Sequence, residues 1–328
     1  MVSWLGVLTV FGCLTMAPLA VAQTYPSKTV TFIVTAAAGG VTDVVARAIG
    51  QRLSEKWGQQ VIVENKGGGA HVIGAQAVAN ATPDGHTMML AEAGTFVINP
   101  NLYPKDKLPF DIEKDFIPIT GLVRIHHSVI VSPTVPVNSM TELLELAHKK
   151  PGEITYGTAG IGSGPHVNVV RLENVAGIKL NAIHYRGATP ALNDVMGGHT
   201  NMMMVSVSLA LPVFREGKVK MLGIGSAKRL PRVPDVPTTA EAGNLPGFIA
   251  GTWFGLAVTG GTPYAIVDKI NADVRAVMAE PAFKERFLER QFYEPMDSSP
   301  EEFRAFLRSE TQNWAKVIRE QKLVIDAH

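Results

Sequence analysis

The sequence predicts an α/β protein with two lobes, each built on a mostly parallel sheet flanked by helices. Strand-like runs rich in β-branched residues alternate with runs of helical periodicity. This alternation occurs twice, in one set that begins near residue 29 and in a second set that begins near residue 127. Because ligands of such sheets bind beyond the carboxyl ends of the strands, we expect the ligand cleft between the lobes.

The individual elements follow from the hydrophobic pattern and from turn residues. In the first set we predict strands at 29–35, 60–64 and 87–91 and helices at 42–57 and 71–81. In the second set we predict strands at 127–132, 153–156, 180–184, 201–205 and 219–225 and helices at 139–149 and 164–176. The last third predicts a strand at 253–258 and helices near 263–279, 281–290 and 300–320, with Pro263, Pro281 and Pro300 near their starts.

Aromatic residues recur at helical spacing in the last two of these helices. They are Phe283, Phe287, Phe303, Phe306 and Trp314. Such a stripe is typical of a helix face that packs into a core, so we assign it no cofactor.

Residues 1–22 have the pattern of a cleaved signal peptide. The stretch from Trp4 to Ala22 has no charged residue and ends in a small-x-small sequence, which predicts cleavage after Ala22 and a periplasmic protein. Pro18 and the polar segment that follows argue against a membrane anchor. The single cysteine, Cys13, lies inside this segment, and Phe11 makes it a poor lipoprotein site, so the mature chain is expected to lack a thiol.

Composition excludes several classes of function. The 328 residues are 46% hydrophobic and 18% charged with a formal net charge of +1, which suits one large or two medium globular domains. Lysine and arginine are scattered, so no basic stripe indicates a nucleic-acid partner. No spacing of histidines with carboxylates indicates a metal, and the glycine spacing does not fit a dinucleotide cofactor.

The stretch after the first strand is the strongest candidate for a binding site. Small residues there expose peptide N–H groups, and the next helix adds unpaired donors and the positive end of its dipole, which suits a carboxylate or phosphate. The candidate residues are Ala36, Ala37, Ala38, Gly39, Gly40, Thr42 and Asp43. The alternative is an ordinary tight turn, with Asp43 simply lying in the first turn of the helix.

A second glycine-rich loop has the same layout between a strand and a helix. Its candidate residues are Thr158, Ala159, Gly160, Gly162, Ser163 and His166. The two hydroxyl groups are potential donors, and His166 fits a polar residue at a helix N-terminus better than a metal ligand. A third loop, after the strand at 87–91, offers Thr95 and Phe96, and we interpret Glu92 there as a solvated acid rather than an acceptor for a ligand hydroxyl or amine.

Several short motifs occur in one order along the whole mature chain. They include Val63-Glu-Asn-Lys66, Thr82-Pro-Asp-Gly-His86, Ile98-Asn-Pro100, the second glycine-rich loop, Asp235-Val-Pro-Thr238, Trp253-Phe-Gly-Leu256 and Gly261-Thr-Pro263. Together with the first loop, they make the chain resemble the Bug-type periplasmic solute receptors of tripartite tricarboxylate transporters.

This resemblance implies a type II periplasmic-binding-protein fold. It implies a first lobe of residues 24–124 plus 246–328 and a second lobe of 125–245, which close on one small organic acid held by the first two loops. It also implies a monomer that contacts membrane transporter subunits transiently. The family commonly has an acid at the position of Val205, so its absence disfavours an amine-bearing ligand and favours a plain di- or tricarboxylate or an aromatic acid near Val205 and Ser206.

Two other functions stay open at this point. A secreted hydrolase or isomerase on the same fold would place His166, His184 or Glu92 within hydrogen-bond reach of Ser163 or Thr95. A receptor that signals rather than transports would use the same cleft.

Overall fold

A computed structural model describes residues 25–68, 71–104 and 107–320. The predicted signal peptide, its cleavage site and Cys13 lie outside these residues. Across the three described ranges, we find no helix that combines the length and the apolar character needed to span a membrane.

Ten strands and twelve α-helices are assigned in the described ranges. The strands are β1 (Val30–Val34), β2 (Val61–Asn65), β3 (Thr87–Glu92), β4 (Phe116–Val131), β5 (Thr155–Thr158), β6 (Asn181–His184), β7 (Met202–Ser206), β8 (Lys220–Ile224), β9 (Gly251–Thr259) and β10 (Glu294–Pro295). The helices are α1 (Val41–Trp57), α2 (Val72–Ala79), α3 (Asn99–Leu102), α4 (Ile112–Asp115), α5 (Met140–Lys149), α6 (Gly164–Ala176), α7 (Ala188–Met196), α8 (Val207–Arg215), α9 (Thr239–Gly243), α10 (Tyr264–Ala279), α11 (Pro281–Phe283) and α12 (Pro300–Glu320). Two π-helical segments, Gly94–Ile98 and Lys284–Glu289, adjoin α3 and α11.

The strands form two sheets that share β4. In the first sheet the order is β2-β1-β3-β9-β4, with β1, β2 and β3 parallel and β9 antiparallel to both neighbours. In the second sheet the order is β4-β7-β5-β6, with β5, β6 and β7 parallel and β4 antiparallel to β7 and β8. The two-lobed α/β fold is therefore confirmed, but only three strands of each sheet are parallel and the others run antiparallel.

Most predicted elements are present, and three substantial ones were not predicted. The first is the earlier half of β4, which was not expected because Pro118 and Gly121 interrupt its sequence pattern. In the structure, the pairing register between β4 and β9 shifts at both of these residues, so the strand continues through them with local irregularities. The helices α7 and α8 were also missed, and α8 contains Pro212, which ordinarily argues against a helix interior.

The apolar cores separate in the same way as the sheets. Phe32, Leu53 and Ile270 lie in one core of the first lobe, while Val131, Leu172 and Met204 lie in a core of the second lobe. The predicted packing role of the C-terminal aromatics is confirmed, since Phe283 and Phe303 are buried and Phe287, Phe306 and Trp314 pack against the same cores.

The lobe boundaries stay a prediction. The core of the second lobe also includes Phe248 and Ala250, and Ile125 packs in the first lobe. All three residues lie within five positions of the predicted crossings at 124–125 and 245–246.

Candidate functional site

The first two predicted loops meet at a cavity between the two sheets, which we call the interlobe cavity. Its volume is about 40 Å³, and both lobes line it. Seven predicted site residues are in its wall: Ala36, Ala37, Gly40, Thr42, Ala159, Val205 and Ser206. Eleven further wall residues were not predicted as site residues: Val41, His71, Glu92, Ile125, His127, Pro165, Gly187, Ala188, Leu209, Thr252 and Phe254.

A larger cavity of about 590 Å³ lies between the start of β4, the turn Gly260–Tyr264 and α12. Of the predicted site residues, only Phe96 lines it. We take the interlobe cavity as the candidate site because the loops and helix ends that suit a ligand converge there.

Four helices of nine residues or more point their N-termini at the interlobe cavity. Its wall includes the first turns or N-caps of α1, α6, α7 and α8. The N-cap residues of α1, α7 and α8, which are Gly40, Gly187 and Ser206, form no side-chain capping hydrogen bond. Uncapped N-termini present N–H donors and positive dipole ends, so the cavity suits an anion.

Asp43 shapes the first loop rather than lining the cavity. Its carboxylate accepts a hydrogen bond from the Gly39 N–H at 3.0 Å and forms an ion pair with Arg47 at 2.9 Å. Burial alone would raise the pKa of Asp43, but these partners outweigh burial and hold the pKa below its ordinary value. Gly39 adopts a φ of 82°, which suits glycine, and it is exposed together with Ala38.

The polar side chains of the second loop bond to the loop itself. Thr158 Oγ1 accepts from the Gly160 N–H at 3.2 Å and lies 2.9 Å from His184 Nδ1. Ser163 caps α6 by accepting from the His166 N–H. The Gly162 N–H donates to His166 Nδ1 at 3.1 Å, and burial, with His184 nearby, lowers the pKa of His166 to about 4.

The third loop differs from its prediction. Phe96 is buried in the core, stacked on Trp253 with ring centroids 5.7 Å apart, so it is not a ligand contact in the interlobe cavity. Thr95 is buried behind the cavity wall, with its hydroxyl 3.2 Å from that of Thr35. Both residues follow β3 in a π-helical segment that turns their side chains into the first lobe.

The interpretation of Glu92 as a solvated loop acid was wrong. Glu92 is the last residue of β3, is only 6% exposed, and lies in the cavity wall. Its Oε1 is 3.2 Å from Nε2 of His71, which is 4% exposed and whose Nδ1 lies 2.8 Å from the Thr35 carbonyl oxygen. Sequence reasoning missed His71 because the connection between β2 and α2 was not considered, although it too follows the carboxyl end of a strand.

His127 is the second buried histidine in the cavity wall. Asn168 Nδ2 lies 3.2 Å from His127 Nδ1 and donates its two hydrogens to the carbonyl oxygens of Gly164 and Gly251 at 2.9 and 2.8 Å. Burial lowers the pKa of His127 to about 4, so the ring is neutral at ordinary pH.

The pairs that would have indicated an enzyme are absent among the described residues. The Ser163 hydroxyl accepts from the backbone of His166, and Thr95 contacts Thr35 rather than a base. The one close hydroxyl–imidazole pair that these loops contain, Thr158 with His184, is outside the cavity wall. Within the described ranges, no group of three or more His, Cys, Asp or Glu residues could hold a metal ion.

Comparison with known proteins agrees with this architecture. The family model named TctC, described as the tripartite tricarboxylate transporter family receptor, matches residues 45–323. The chain is 30% identical to the protein BugT of Bordetella pertussis over 300 residues, which cover 91% of each chain.

Solved structures give the same result. The periplasmic binding protein BugD is 34% identical with a TM-score of 0.86, covering 92% of this chain and 99% of that one. Rpa4515 of R. palustris, solved with adipate, is 30% identical with a TM-score of 0.86, covering 92% of this chain and 99% of that one. MatC (Rpa3494) from Rhodopseudomonas palustris, solved with bound malate, is 32% identical with a TM-score of 0.83, covering 90% of this chain and all of that one.

These proteins are binding proteins rather than enzymes, which confirms the expectation of a receptor. The resemblance to Bug-type receptors is confirmed as well. The chain belongs to the TctC family of periplasmic receptors of tripartite tricarboxylate transporters.

Proposed function

We propose that this chain captures a small organic carboxylate in the interlobe cavity and presents it to the membrane subunits of a tripartite tricarboxylate-type transporter. The observation that carries this proposal is the convergence of helix N-termini from both lobes, three of them without a side-chain cap. Among the described wall residues there is no lysine or arginine, so the anion is held by backbone donors and helix dipoles.

The energetics suit reversible capture. A hydrogen bond to a charged acceptor contributes about 1.5–3 kcal/mol, and each helix end adds about 0.3–1 kcal/mol. A few such donors offset the desolvation of one carboxylate and the ordering of the two lobes. Capture of this kind requires no chemical change in the ligand.

The rest of the wall indicates the body of the ligand. Val41, Ile125, Val205, Leu209 and Phe254 supply an apolar surface. Without an acid at Val205, this part of the wall has no counter-charge for an amine. Two similar proteins were solved with dicarboxylates, adipate and malate, so we infer a di- or tricarboxylate or an aromatic acid.

The proposal includes the lobe division and the location. The first lobe is residues 24–124 plus 246–328 and the second is 125–245, and the protein acts as an exported monomer cleaved after Ala22. Separate cores around Phe32 and Met204 support two lobes, and the periplasmic family supports export.

The direct test is a ligand screen followed by one variant. Thermal-shift measurements with mono-, di- and tricarboxylates, including aromatic acids, are expected to raise the melting temperature for at least one acid, because the ligand binds only the folded state. In Gly40→Val, the new side chain enters the cavity, and we expect calorimetry to show at least tenfold weaker binding of that acid. A Cβ at Gly40 meets nothing closer than the Ala37 carbonyl oxygen at 3.7 Å, so the fold tolerates the change.

The matched control is Ala38→Val in the same loop, which is exposed and outside the cavity wall. It should bind the acid as the unmodified protein does. Stabilisation by a neutral sugar or an amine, with none by any acid, would contradict the proposal. Unchanged affinity in Gly40→Val would remove the first loop from the site.

A further inference from the structure

The interlobe cavity contains a buried acid–base pair that anion binding by helix ends does not use. His71 and Glu92 are both in its wall, with Nε2 and Oε1 3.2 Å apart. The two atoms are at ion-pair distance, and His71 Nε2 is a buried polar atom without an assigned hydrogen-bond partner in the described part of the chain. Buried polar atoms of this kind usually have a partner, which points to a ligand or water.

The other nitrogen of His71 fixes its proton. A carbonyl oxygen can only accept, so Nδ1 carries a hydrogen that it donates to the Thr35 carbonyl. Burial lowers the pKa of His71, but the contact with Glu92 outweighs burial and raises the pKa above its ordinary value. Unprotonated lone pairs on Nε2 and Oε1 would repel each other at 3.2 Å in a buried site, so the pair holds one proton between them. It therefore offers one donor and one acceptor to a ligand and has no net charge.

A neutral pair of this kind discriminates among ligand groups. Because the pair has no net charge, it offers no counter-charge to a second carboxylate or to an ammonium group. A hydroxyl group accepts and donates at once. Its oxygen fits about 2.7–2.9 Å from Nε2 and about 2.5–2.7 Å from a Glu92 oxygen, and both distances are possible when the two partners are 3.2 Å apart.

We propose that the interlobe cavity selects a hydroxycarboxylate, whose hydroxyl group is bound between His71 Nε2 and the Glu92 carboxylate. This inference rests on the proposed function, since the carboxylate of the same ligand occupies the helix ends. Thr35, which holds His71, directly precedes the cavity residues Ala36 and Ala37. The hydroxyl site therefore adjoins the carboxylate site, which favours a hydroxyl on a carbon close to the carboxylate.

The test compares acids that differ by one hydroxyl group. Calorimetry with the purified protein would use two pairs: butanedioate with 2-hydroxybutanedioate, and 3-phenylpropanoate with 2-hydroxy-3-phenylpropanoate. In the pair that binds, we expect the hydroxy acid to have at least a tenfold lower Kd, because hydrogen bonds to charged groups are the stronger class. This comparison needs no variant, so it stands even if a substitution impairs folding.

The variant Glu92→Gln then tests whether the preference for the hydroxy acid depends on the pair His71–Glu92. The amide keeps the shape but removes the charged acceptor, so the preference for the hydroxy acid should fall to about threefold or less, while the acid without the hydroxyl group binds no more weakly than before. Glu64→Gln, the same change at an exposed position on β2, is the control and should leave the ratio unchanged. His71→Gln should reduce the ratio as Glu92→Gln does.

The outcomes separate this inference from the proposed function. If an acid binds with equal affinity with and without its hydroxyl group, or if Glu92→Gln leaves the ratio unchanged, the hydroxyl site is wrong while the receptor function stands. Tightest binding by aminobutanedioate would likewise overturn the hydroxyl site and assign the pair to an amine. If no acid binds at all, both proposals fail.

Discussion

At the scale of single residues, the two buried histidines of the interlobe cavity differ in their acidic neighbours. His71 contacts Glu92 and has a raised pKa, whereas His127 has no acid within ion-pair distance among the described residues and its pKa is about 4. The two rings line one cavity, but their pKa values are shifted in opposite directions. The difference arises from one contact, since burial lowers the pKa of both rings.

The pKa of His127 predicts a loss of stability in acid. An unfolded histidine titrates near 6.5, so between about pH 6.5 and pH 4 the unfolded chain binds a proton that the folded ring does not. The unprotonated His127 ring therefore contributes at most about 3 kcal/mol to the free energy of unfolding. This contribution is complete above pH 6.5 and is lost as the pH falls to about 4. Urea unfolding at a series of pH values should show this decline.

The variant His127→Asn tests the assignment. Asparagine is polar and smaller than histidine but does not titrate, so the free energy of unfolding should fall less steeply between pH 6.5 and 4 than in the unmodified protein. The slope is the readout, because the substitution also changes packing. An unchanged slope would mean that His127 does not titrate on unfolding in this range.

At the scale of elements, the docking of α12 on β9 depends on one missing side chain. Phe303 of α12 is fully buried and makes edge contacts with Trp253 and Phe96 at centroid distances of 5.8 and 6.0 Å. Its ring tip occupies the space where Gly255 of β9 would carry a Cβ. The glycine therefore allows the helix to approach the sheet closely.

Gly255→Ala is expected to destabilise the protein by about 1–3 kcal/mol through this clash, measured by urea unfolding. Phe303→Leu removes the ring that clashes, and by itself it leaves a space in the core. The double variant should lose less stability than the sum of the two single variants, because the leucine makes room for the new methyl group. Strict additivity would show that the two residues do not share this space.

The sequence was informative about elements wherever local pattern and tertiary context agree. The strand–loop–helix units around Gly40 and Ser163 were predictable because their strands are apolar and their helices periodic. The first half of β4 was not, since Pro118 and Gly121 are tolerated only because β9 pairs with the strand across two register shifts. Burial of Glu92 could not be predicted either, because Glu92 lines a cavity whose wall comes from segments far apart in the sequence.

At the scale of the whole molecule, one strand joins the two lobes beside the ligand site. Residues 116–126 of β4 pair with β9 in the first sheet, and residues 127–131 pair with β7 in the second. Ile125 and His127, on either side of this change, are both in the cavity wall. A rotation of the lobes about this segment would therefore open or close the cavity directly.

The lobes also meet away from the cavity wall, where Gly94 approaches the second glycine-rich loop. A Cβ at Gly94 would lie 2.8 Å from the Gly162 carbonyl oxygen, closer than real contacts allow. Because Gly94 and Gly162 belong to different lobes, this contact exists only when the lobes are together. The two glycines thus set how closely the lobes approach.

Gly94→Ala is expected to hinder closure while leaving the ligand contacts intact. The acid identified in the screen should bind about tenfold more weakly, equivalent to about 1.4 kcal/mol, because closure no longer completes the site. Small-angle scattering should show a smaller ligand-induced decrease in the radius of gyration than in the unmodified protein. The melting temperature without ligand should change little, since the open form avoids the clash. The control is Gly243→Ala at the end of α9, where the nearest atoms to the new Cβ belong to the side chains of Leu245 and Leu144 within the second lobe. Normal affinity and normal compaction in Gly94→Ala would show that the lobes bind their ligand without this close approach.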